Sequence, residues 1–465
     1  MKYRIEKDEL GEMKIPLDAY YGIMTLRSKE NFCVAKEKIH KQMIKSLAIV
    51  KKTAALANKD ANLLTLDQAK AIANACDEII NGRFQNQFIT DAIQGGAGAS
   101  MNMNINEVIA NRANELLGGN LGTYEYIHPL KHVNLNQSSI DVVPTAGKLT
   151  TIILAKGLLV EIKKLFKSFL DKAKEYASVP KIGRMHLQDS TPITFGVEFG
   201  AIASCIERDY YRLEESLKDL YYVNLGVNND GTGEFTNPIY FKNIINRFNE
   251  YTKMTFSHPR NLLDLTRNFD SFVNVSHAIK IAAINLSKTA SDLRLMASGP
   301  RAGFNEITIP RVEVSETFLK DQVNPVIPEV INQVCFQIIG KDTTITYAAE
   351  HGQLEFNVFG PIIYPNLFDS IEYLTRAIKL FRESTIENLI INKETCLKHV
   401  NNSLGIISLL VPELGVEACE NIANIAFKTN KTIKEIILEE KIMSEKDVDK
   451  YLNATHIAKR FTKVK

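Results

Sequence analysis

Polar side chains that could bind a carboxylate or carry a proton are concentrated in four segments of this sequence. The first, residues 95–111 (GGAGASMNMNINEVIAN), joins a glycine-rich turn to a helical pattern. Ala99 and Ser100 stand where that helix would begin, and the free N–H groups of a helix start favour an anion. The segment therefore predicts a carboxylate-binding loop. A capped helix after a glycine-rich loop would explain the same residues without any ligand.

The second segment, residues 133–146 (VNLNQSSIDVVPTA), also precedes a predicted helix. Ser138 and Ser139 could cap that helix or donate to a ligand oxygen, and capping is the expected role of at least one of them.

The third segment, residues 183–196 (GRMHLQDSTPITFG), holds His186 in a polar, turn-rich stretch before another predicted helix. A histidine in such a place can carry a proton near neutral pH. A lone histidine is more often structural, so this segment alone leaves both roles open.

The fourth segment is a loop of about thirty residues, 298–330, which is far longer than the usual connection between helices. It runs into a predicted helix that bears Glu329. Loops of that length are usually functional lids or disordered segments, and a polar lid is favoured here over solvated surface. Its polar side chains are Glu313, Ser315, Glu316, Thr317, Lys320, Asp321, Gln322 and Asn324.

The composition argues against several classes of function. Lys plus Arg number 56 against 54 Asp plus Glu, so the formal charge of +2 gives no electrostatic reason to expect nucleic acid or an anionic membrane. No Walker loop, strand-linked GxGxxG or His/Cys metal spacing occurs, so we expect neither a metal nor another cofactor. The six cysteines form no CxxC pair, and no uncharged apolar run reaches the roughly 18 residues of a membrane span. We therefore expect a soluble cytoplasmic protein with reduced thiols.

The elements that must position these residues are predicted to be helices. Apolar residues recur at helical spacing in several long segments, and each such set would form a stripe along one helix face. In segment 262–297 only Ser276 interrupts the apolar stripe. A helix of that length cannot bury its stripe alone, so it needs neighbouring helices. Alternating strand patterns are almost absent, which predicts an all-α fold. The five segments of the predicted central bundle are 140–176, 196–223, 262–297, 326–350 and 367–387.

Taken together, these segments resemble the aspartase/fumarase superfamily, and most closely its aspartate ammonia-lyases. The resemblance covers nearly the whole chain and keeps its motifs in order, so chance is a poor explanation. The matching segments are LGEMKIPLDAYYGIMTLRSKENF (10–32), SMNMNINEVIAN, HPLKHVN with QSSID, GRMHLQD, GTGEF, SDLRLMASGPRAGFNEI, VNPVIPEVINQVCFQIIGKD and GQLEFNV (352–358).

The resemblance implies an all-α lyase of three domains. These are an N-terminal helical domain over 1–138, a central helix bundle over 139–390 and a small C-terminal helical domain over 391–465. It also implies a homotetramer built round a twenty-helix core, in which three subunits share each active site. Members of the superfamily remove a proton beside a carboxylate, stabilise the resulting aci-carboxylate and expel an amine, hydroxyl or similar group. The product is typically fumarate.

The resemblance breaks at the catalytic loop. The family loop reads GSS, two residues, Pro, one residue, Lys, one residue and Asn, and its second serine is the base. Here Thr317 occupies the position of the catalytic serine and Asn324 is retained, but Gln322 replaces the lysine. A neutral side chain there can neither stabilise a hydroxyl anion nor attract a carboxylate by charge. Lys320 could supply that charge if the loop folds differently, and Glu316 is a second candidate base.

Three expected substrate contacts have become apolar. A family threonine that contacts a carboxylate is Ala99, an asparagine that meets the amino group is Ile140, and the threonine before the histidine is Met185. A buried ammonium would lose partners there at a cost of about 1–3 kcal/mol each. Asp230 appears in a loop where family members have small or apolar residues.

Other positions keep the side chains that the resemblance assigns to the site or its support. These are Ser138, Ser139, His186, Gln188 and Glu329, and His186 with Glu329 would form a pair that handles charge. Ser100 is expected to contact the substrate beside Ala99.

Three hypotheses about function follow. The first is an active lyase with a changed small-molecule carboxylate substrate, whose leaving group prefers apolar walls. A trimethylammonium group has that property, and relatives resembling ergothionase are thought to expel trimethylamine from a betaine. The second is a catalytically silent paralogue with a structural or binding role. The third is a genuine aspartate ammonia-lyase that forms fumarate and ammonia.

Overall fold

The structure is a computed structural model, and it describes residues 2–228, 231–314, 323–453 and 456–457. Most of this chain is helical, which confirms the all-α expectation. The helices are α1 (Ile23–Asn31), α2 (Lys41–Asp60), α3 (Leu66–Ile80), α4 (Ala99–Leu116), α5 (Ser139–Glu175), α6 (Phe195–Ser216), α7 (Pro238–Thr252), α8 (Asp264–Arg267), α9 (Asp270–Met296), α10 (Val326–Glu350), α11 (Gly360–Phe381), α12 (Lys393–Asn402), α13 (Val411–Leu414), α14 (Val416–Thr429), α15 (Ile433–Glu439) and α16 (Glu445–Leu452).

Three small antiparallel sheets of two strands each accompany the helices. Their strands are β1 (Tyr3–Asp8) with β2 (Gly11–Pro16), β3 (Pro180–Met185) with β4 (Gln188–Thr194), and β5 (Ile307–Thr308) with β6 (Ile390–Ile391). The hairpin of β3 and β4 contains the predicted proton carrier in its turn. The sequence analysis did not predict this hairpin.

Two of the five predicted long helices, α5 and α10, match their predicted ranges closely. The other three differ at their ends. α6 stops at Ser216 and a short 3-10 turn follows over Lys218–Tyr221. α9 begins only at Asp270, because the chain turns extended at Asn268 after the single turn of α8. α11 begins earlier than predicted, at Gly360. Pro361 lies in its first turn, where backbone N–H groups have no partner within the helix, so the N–H that proline lacks costs no hydrogen bond.

The apolar stripe predicted for the third helix is buried along α9, from Phe272 through Ile279, Ala283 and Leu286 to Leu293. Ser276, which interrupts the stripe, is buried as well. Its hydroxyl donates to Asp342 Oδ1 at 2.6 Å, so this polar interruption is satisfied within the core.

The contact pattern divides the chain into two compact units, each assembled from three separate stretches. The first unit comprises Met1–Leu158, Arg212–Lys280 and Gln337–Tyr373. The second comprises Leu159–Tyr211, Ile281–Phe336 and Leu374–Lys465. The division into three domains along the sequence stays a prediction.

All six cysteines lie in the described chain as free thiols. Over the same ranges, no helix is both long enough and apolar enough to cross a bilayer.

Candidate active site

The glycine-rich turn before α4 brings the start of that helix against α5. Gly98 caps α4 with a φ of +89°, in the left-handed region that glycine tolerates best. A Cβ at Gly98 would approach Val143 Cγ1 to 2.9 Å, so only glycine allows this close packing. Ala99 and Ser100 form the first turn of α4 and are half-buried. The starts of α4 and α5, both predicted to bind a carboxylate, therefore lie side by side within the first unit.

The start of α5 is held by a carboxylate and not by a serine. Asp141 Oδ1 accepts from the backbone N–H of Ser138 at 2.9 Å. Within the described ranges neither the Ser138 nor the Ser139 hydroxyl caps the helix, so the expectation of a capping serine was wrong. The amides of Ser139 and Ile140 have no acceptor there either, as the first turn of a helix requires. Two hydroxyls and two amides are therefore available to a ligand oxygen.

A proline exposes the carbonyl of Ile140. Pro144 lies inside α5 and lacks the N–H that would otherwise donate to the carbonyl four residues earlier. The Ile140 carbonyl accepts instead from Asn224 Nδ2 at 3.1 Å. The backbone of this position is thus fixed from outside the helix, and its side chain is half-buried.

His186 lies in the two-residue turn between β3 and β4. Met185 pairs with Gln188 at the end of the ladder, so His186 and Leu187 form the turn. Both have positive φ values, +56° and +61°, as a tight hairpin turn of right-handed twist demands. The turn is exposed, and Met185 and Leu187 each keep 67% of their surface accessible. The imidazole of His186 is therefore exposed to solvent, on a rigid and strained turn.

A buried ion cluster holds this hairpin within the second unit. Glu306 is fully buried, and its Oε1 accepts from Arg184 Nη1 at 2.7 Å while its Oε2 lies 3.7 Å from Lys181 Nζ. Lys181 also bonds to Glu198, and the Arg184 guanidinium stacks over Phe304 at 4.2 Å. Arg184 is two residues from His186, so Glu306 connects the hairpin to the long loop that follows α9.

A cavity of about 550 Å³ borders the same hairpin. Arg184 and Leu187 line it from the hairpin side, and Lys288 and Asp292 line it from α9. Its walls are mainly apolar with charged groups of both signs, so the cavity could admit a small charged molecule beside His186.

Asn324 and Glu329 lie on either side of the start of α10. Asn324 is exposed, and Glu329 is half-buried with its Oε1 at 3.2 Å from Arg294 Nη2. Within the described chain no ion pair joins Glu329 to His186, so a pair between these two side chains stays a prediction. Five predicted site residues lie outside the described ranges, and these are Asp230, Glu316, Thr317, Lys320 and Gln322.

The sequence analysis missed the buried residues that support the site. Lys51 on α2 is fully buried and donates to Asn134 Oδ1 at 2.9 Å. Burial lowers the pKa of Lys51 to about 7, against the attraction of Asp141. Burial raises the pKa of Asp141 to about 6, although backbone N–H donors oppose this shift. The signal was present in the sequence, because Lys51 stands four residues after Leu47 and four before Ala55 on the apolar stripe of α2.

No group of three or more His, Cys, Asp and Glu side chains is arranged to hold a metal ion among the residues that the structure describes. The start of α5 offers two backbone amides and two hydroxyls for a carboxylate, and the hairpin of β3 and β4 offers an exposed imidazole for proton transfer.

Known proteins with this sequence pattern are lyases. A family model described as lyase matches residues 11–340, and a model described as the fumarase C C-terminus matches residues 406–459. An aspartate ammonia-lyase from a Bacillus species is 44% identical over 450 residues, which cover 97% of this chain and 96% of that protein. The aspartate ammonia-lyase of Escherichia coli is 39% identical over 468 residues, covering 99% of this chain and 98% of that protein.

Solved structures agree with these relatives. A fumarate lyase:delta crystallin from Brucella melitensis, bound to cobalt, superposes with a TM-score of 0.96 at 39% identity, covering 98% of this chain and 100% of that one. A class II fumarase from Schistosoma mansoni gives a TM-score of 0.93 at 29% identity, covering 99% of this chain and all of that one, 100%. Because the lyase model spans most of the chain and the aspartate ammonia-lyases match nearly all of it, the chain belongs to the aspartase/fumarase superfamily of lyases, in the family of the aspartate ammonia-lyases.

Proposed function

We propose that this lyase eliminates an amine from a small carboxylate other than plain aspartate, leaving an α,β-unsaturated carboxylate. The leaving group would be one that apolar walls accommodate, such as the trimethylammonium of a betaine. The observation that carries the proposal is Ile140, an apolar side chain in the first turn of α5 whose backbone is fixed by Asn224.

The retained backbone of the site supports an active enzyme. Elimination beside a carboxylate requires hydrogen-bond donors aimed at the developing aci-carboxylate, because stabilising that charge lowers the barrier most. The start of α5 carries such donors in the Ser138 and Ser139 hydroxyls and the Ser139 and Ile140 amides.

The apolar residues at positions that the family pattern assigns to the site argue against aspartate. A primary ammonium has three N–H groups that need acceptors, and burying it against Ala99, Ile140 and Met185 would leave them unpaired. A trimethylammonium group has no N–H to satisfy and favours apolar contact. Asp230 would balance its positive charge.

The proton chemistry is proposed from the family pattern. Thr317 or Glu316 would act as the base, while His186 and Glu329 would carry charge and protons. Lys320, Gln322 and Asn324 would contact the substrate from the catalytic loop, with Ser100 and Gln188 completing the pocket.

A genuine aspartate ammonia-lyase is the second candidate. It is favoured by the 44% identity to the Bacillus enzyme over 97% of this chain. The two candidates share their reaction class and differ only in the group that is expelled.

We further propose a cytoplasmic homotetramer in which three subunits contribute to each site. The long helices expose apolar side chains that a monomer would leave in water, and the hairpin turn does the same at Met185 and Leu187. The free thiols fit a reducing compartment. The exposed apolar residues on α6, α9 and α10 are Val197, Tyr211, Ile284, Leu295, Val330, Phe336 and Tyr347.

The test is to mix the purified protein with aspartate and with trimethylated amino acid betaines, and to follow ultraviolet absorbance of the unsaturated product. A band that grows with a betaine and not with aspartate supports the changed substrate. Growth with aspartate alone supports the second candidate. If no absorbance band grows with any compound, in protein that is folded and assembled, both candidate activities are contradicted and the silent paralogue is favoured.

A further inference from the structure

A buried polar network lies beneath the two helix starts, and none of its members is a predicted substrate contact. Asp141 is its anion, and its carboxylate bridges two stretches of chain. Oδ1 accepts from the Ser138 amide at 2.9 Å, and Oδ2 accepts from the Gly226 amide at 3.0 Å. Asn224 adds a second bond between the two stretches, because its Nδ2 donates to the Ile140 carbonyl. Residues 138–141 and 224–226 are therefore bound to each other by two hydrogen bonds, and the Ser138 bond to Asp141 holds the first of these stretches internally.

Lys51 is the cation of the network, and it reaches the same region through one asparagine. Asn134 Oδ1 accepts from Lys51 Nζ at 2.9 Å and from Asn102 and Asn106 of α4 at 3.2 and 3.1 Å. Asn134 Nδ2 donates to the Gln137 carbonyl at 3.1 Å, next to Ser138. One half-buried side chain, that of Asn134, thus links α2, α4 and the start of α5.

Burial makes this network sensitive to the loss of either charge. Both Lys51 and Asp141 have no exposed surface, and an isolated charge there would be costly unless its partner remained. The network offers no catalytic group to solvent, so its contribution must come through the position of the residues that it holds.

We propose that Asp141, with Asn224 and the counter-charge of Lys51, positions residues 138–140 so that their hydroxyls and amides converge on one carboxylate of the substrate. Asp141 is a positioning residue, because it touches the backbone of the binding segment and not the reacting atoms. This inference rests on the proposed function only in taking residues 138–140 as the carboxylate-binding segment.

The first measurement does not depend on activity. In Asp141→Asn, amide hydrogen exchange of the assembled protein should rise at least tenfold in peptides covering 134–142 and 222–228, because an amide group cannot accept from both backbone N–H groups. Peptides from α9 should keep their wild-type rates. Unchanged exchange in the two segments would overturn the proposal.

The second measurement uses succinate as a stable dicarboxylate probe, followed by calorimetry. Asp141→Asn should weaken succinate binding roughly tenfold, and KM for the productive substrate should rise more than kcat falls. Asp342→Asn is the matched control, since Asp342 is also a buried carboxylate with a lysine partner, Lys280 at 2.6 Å. If that control weakens binding equally, the effect is general destabilisation and the positioning role is refuted.

A double variant keeps the proposal testable if a single variant folds poorly. Lys51→Met leaves Asp141 buried without its counter-charge, whereas Lys51→Met with Asp141→Asn removes both charges. The double variant should therefore recover much of the soluble yield lost in Lys51→Met, yet it should still exchange fast in 134–142. No recovery in the double variant would refute the counter-charge role. If wild-type protein binds no succinate, residues 138–140 are not a carboxylate-binding segment and the positioning inference fails; if it binds succinate and the variants behave as stated but no compound is turned over, only the proposed function fails.

Discussion

At the residue scale, the start of α5 combines free backbone donors with an apolar side chain, Ile140, at a position proposed to face the leaving group. The Ser139 and Ile140 amides at the start of α5 depend on helix geometry and not on side-chain type. Ile140 itself contributes a branched hydrocarbon where an amide acceptor would receive an ammonium. In the proposed site, different atoms of the same few residues would therefore bind the carboxylate and recognise the leaving group.

Ile140→Asn should therefore shift the preference of the enzyme toward aspartate. Restoring one acceptor for a buried ammonium is worth about 1–3 kcal/mol, which corresponds to a rise in kcat/KM for aspartate of roughly 5- to 150-fold. Steady-state kinetics would measure kcat/KM of the variant for aspartate and for a betaine. Ile140→Ala is the control, because it removes bulk without adding an acceptor. An equal gain in the alanine variant would show that space, and not hydrogen bonding, excludes aspartate.

The charge of Lys51 should make stability depend on pH. Its folded-state pKa of about 7 lies below the ordinary value of 10.5, so the unfolded chain binds more protons between these values. The unfolding free energy of wild-type protein should therefore rise with pH from 7 toward 9.5, by up to about 1.4 kcal/mol per unit, relative to Lys51→Met. The charges of the other titratable groups that face Lys51 do not change in this pH window. Asp141 is already ionised above its pKa of about 6, and burial raises the pKa of the Cys76 thiol, which therefore stays protonated. Urea unfolding of both proteins at fixed concentration would test this, and parallel pH profiles would contradict it.

At the element scale, a strained two-residue turn presents the candidate proton carrier. His186 and Leu187 both adopt left-handed backbone angles, which cost a non-glycine residue roughly 1 kcal/mol or more. The strain is sustained by the ladder of β3 and β4 and by the ion pair of Arg184 with Glu306. Strain of this kind at a functional position is typical of preorganised sites.

Leu187→Gly should relieve part of this strain. Because the leucine side chain is 67% exposed, its removal forfeits little burial, and we expect the unfolding free energy to rise by about 0.5–1 kcal/mol. Chemical denaturation would measure the change. Leu187→Ala, which removes the same side chain but keeps a Cβ at positive φ, should not stabilise the protein. Equal stabilisation by both variants would mean that the side chain, and not the turn, is the source of the strain.

The sequence predicts the helices better than the site. Apolar periodicity located α5 and α10 because a long buried stripe leaves a regular pattern whatever surrounds it. The hairpin of β3 and β4 was missed, since buried strand residues do not alternate with exposed ones along Pro180–Gly183. Lys51 and Asp141 were missed as partners because they are far apart in sequence and meet only through tertiary packing. Their charged type also argued for solvent exposure.

At the scale of the whole molecule, the described chain leaves apolar side chains exposed on the helices that would form a shared core. Phe336 on α10 is 62% exposed and Tyr347 on the same helix is 64% exposed. Such residues are costly in water, and covering them by other copies of the chain would bury the long helices that one chain leaves partly exposed. The exposed His186 turn would be completed by the same association.

Phe336→Glu should therefore break the assembly. A carboxylate in an interface between copies would be buried without a partner, a cost of several kcal/mol repeated at every symmetry-related contact. Light scattering should show a mass several times 52.2 kDa for wild-type protein and a smaller species for the variant, with loss of turnover because sites drawn from several subunits would be incomplete. Phe427→Glu is the matched control, since Phe427 lies on α14 in the C-terminal region and is 76% exposed. It should remain assembled and active. A wild-type monomer, or a Phe336→Glu protein of unchanged mass and full activity, would refute the shared core.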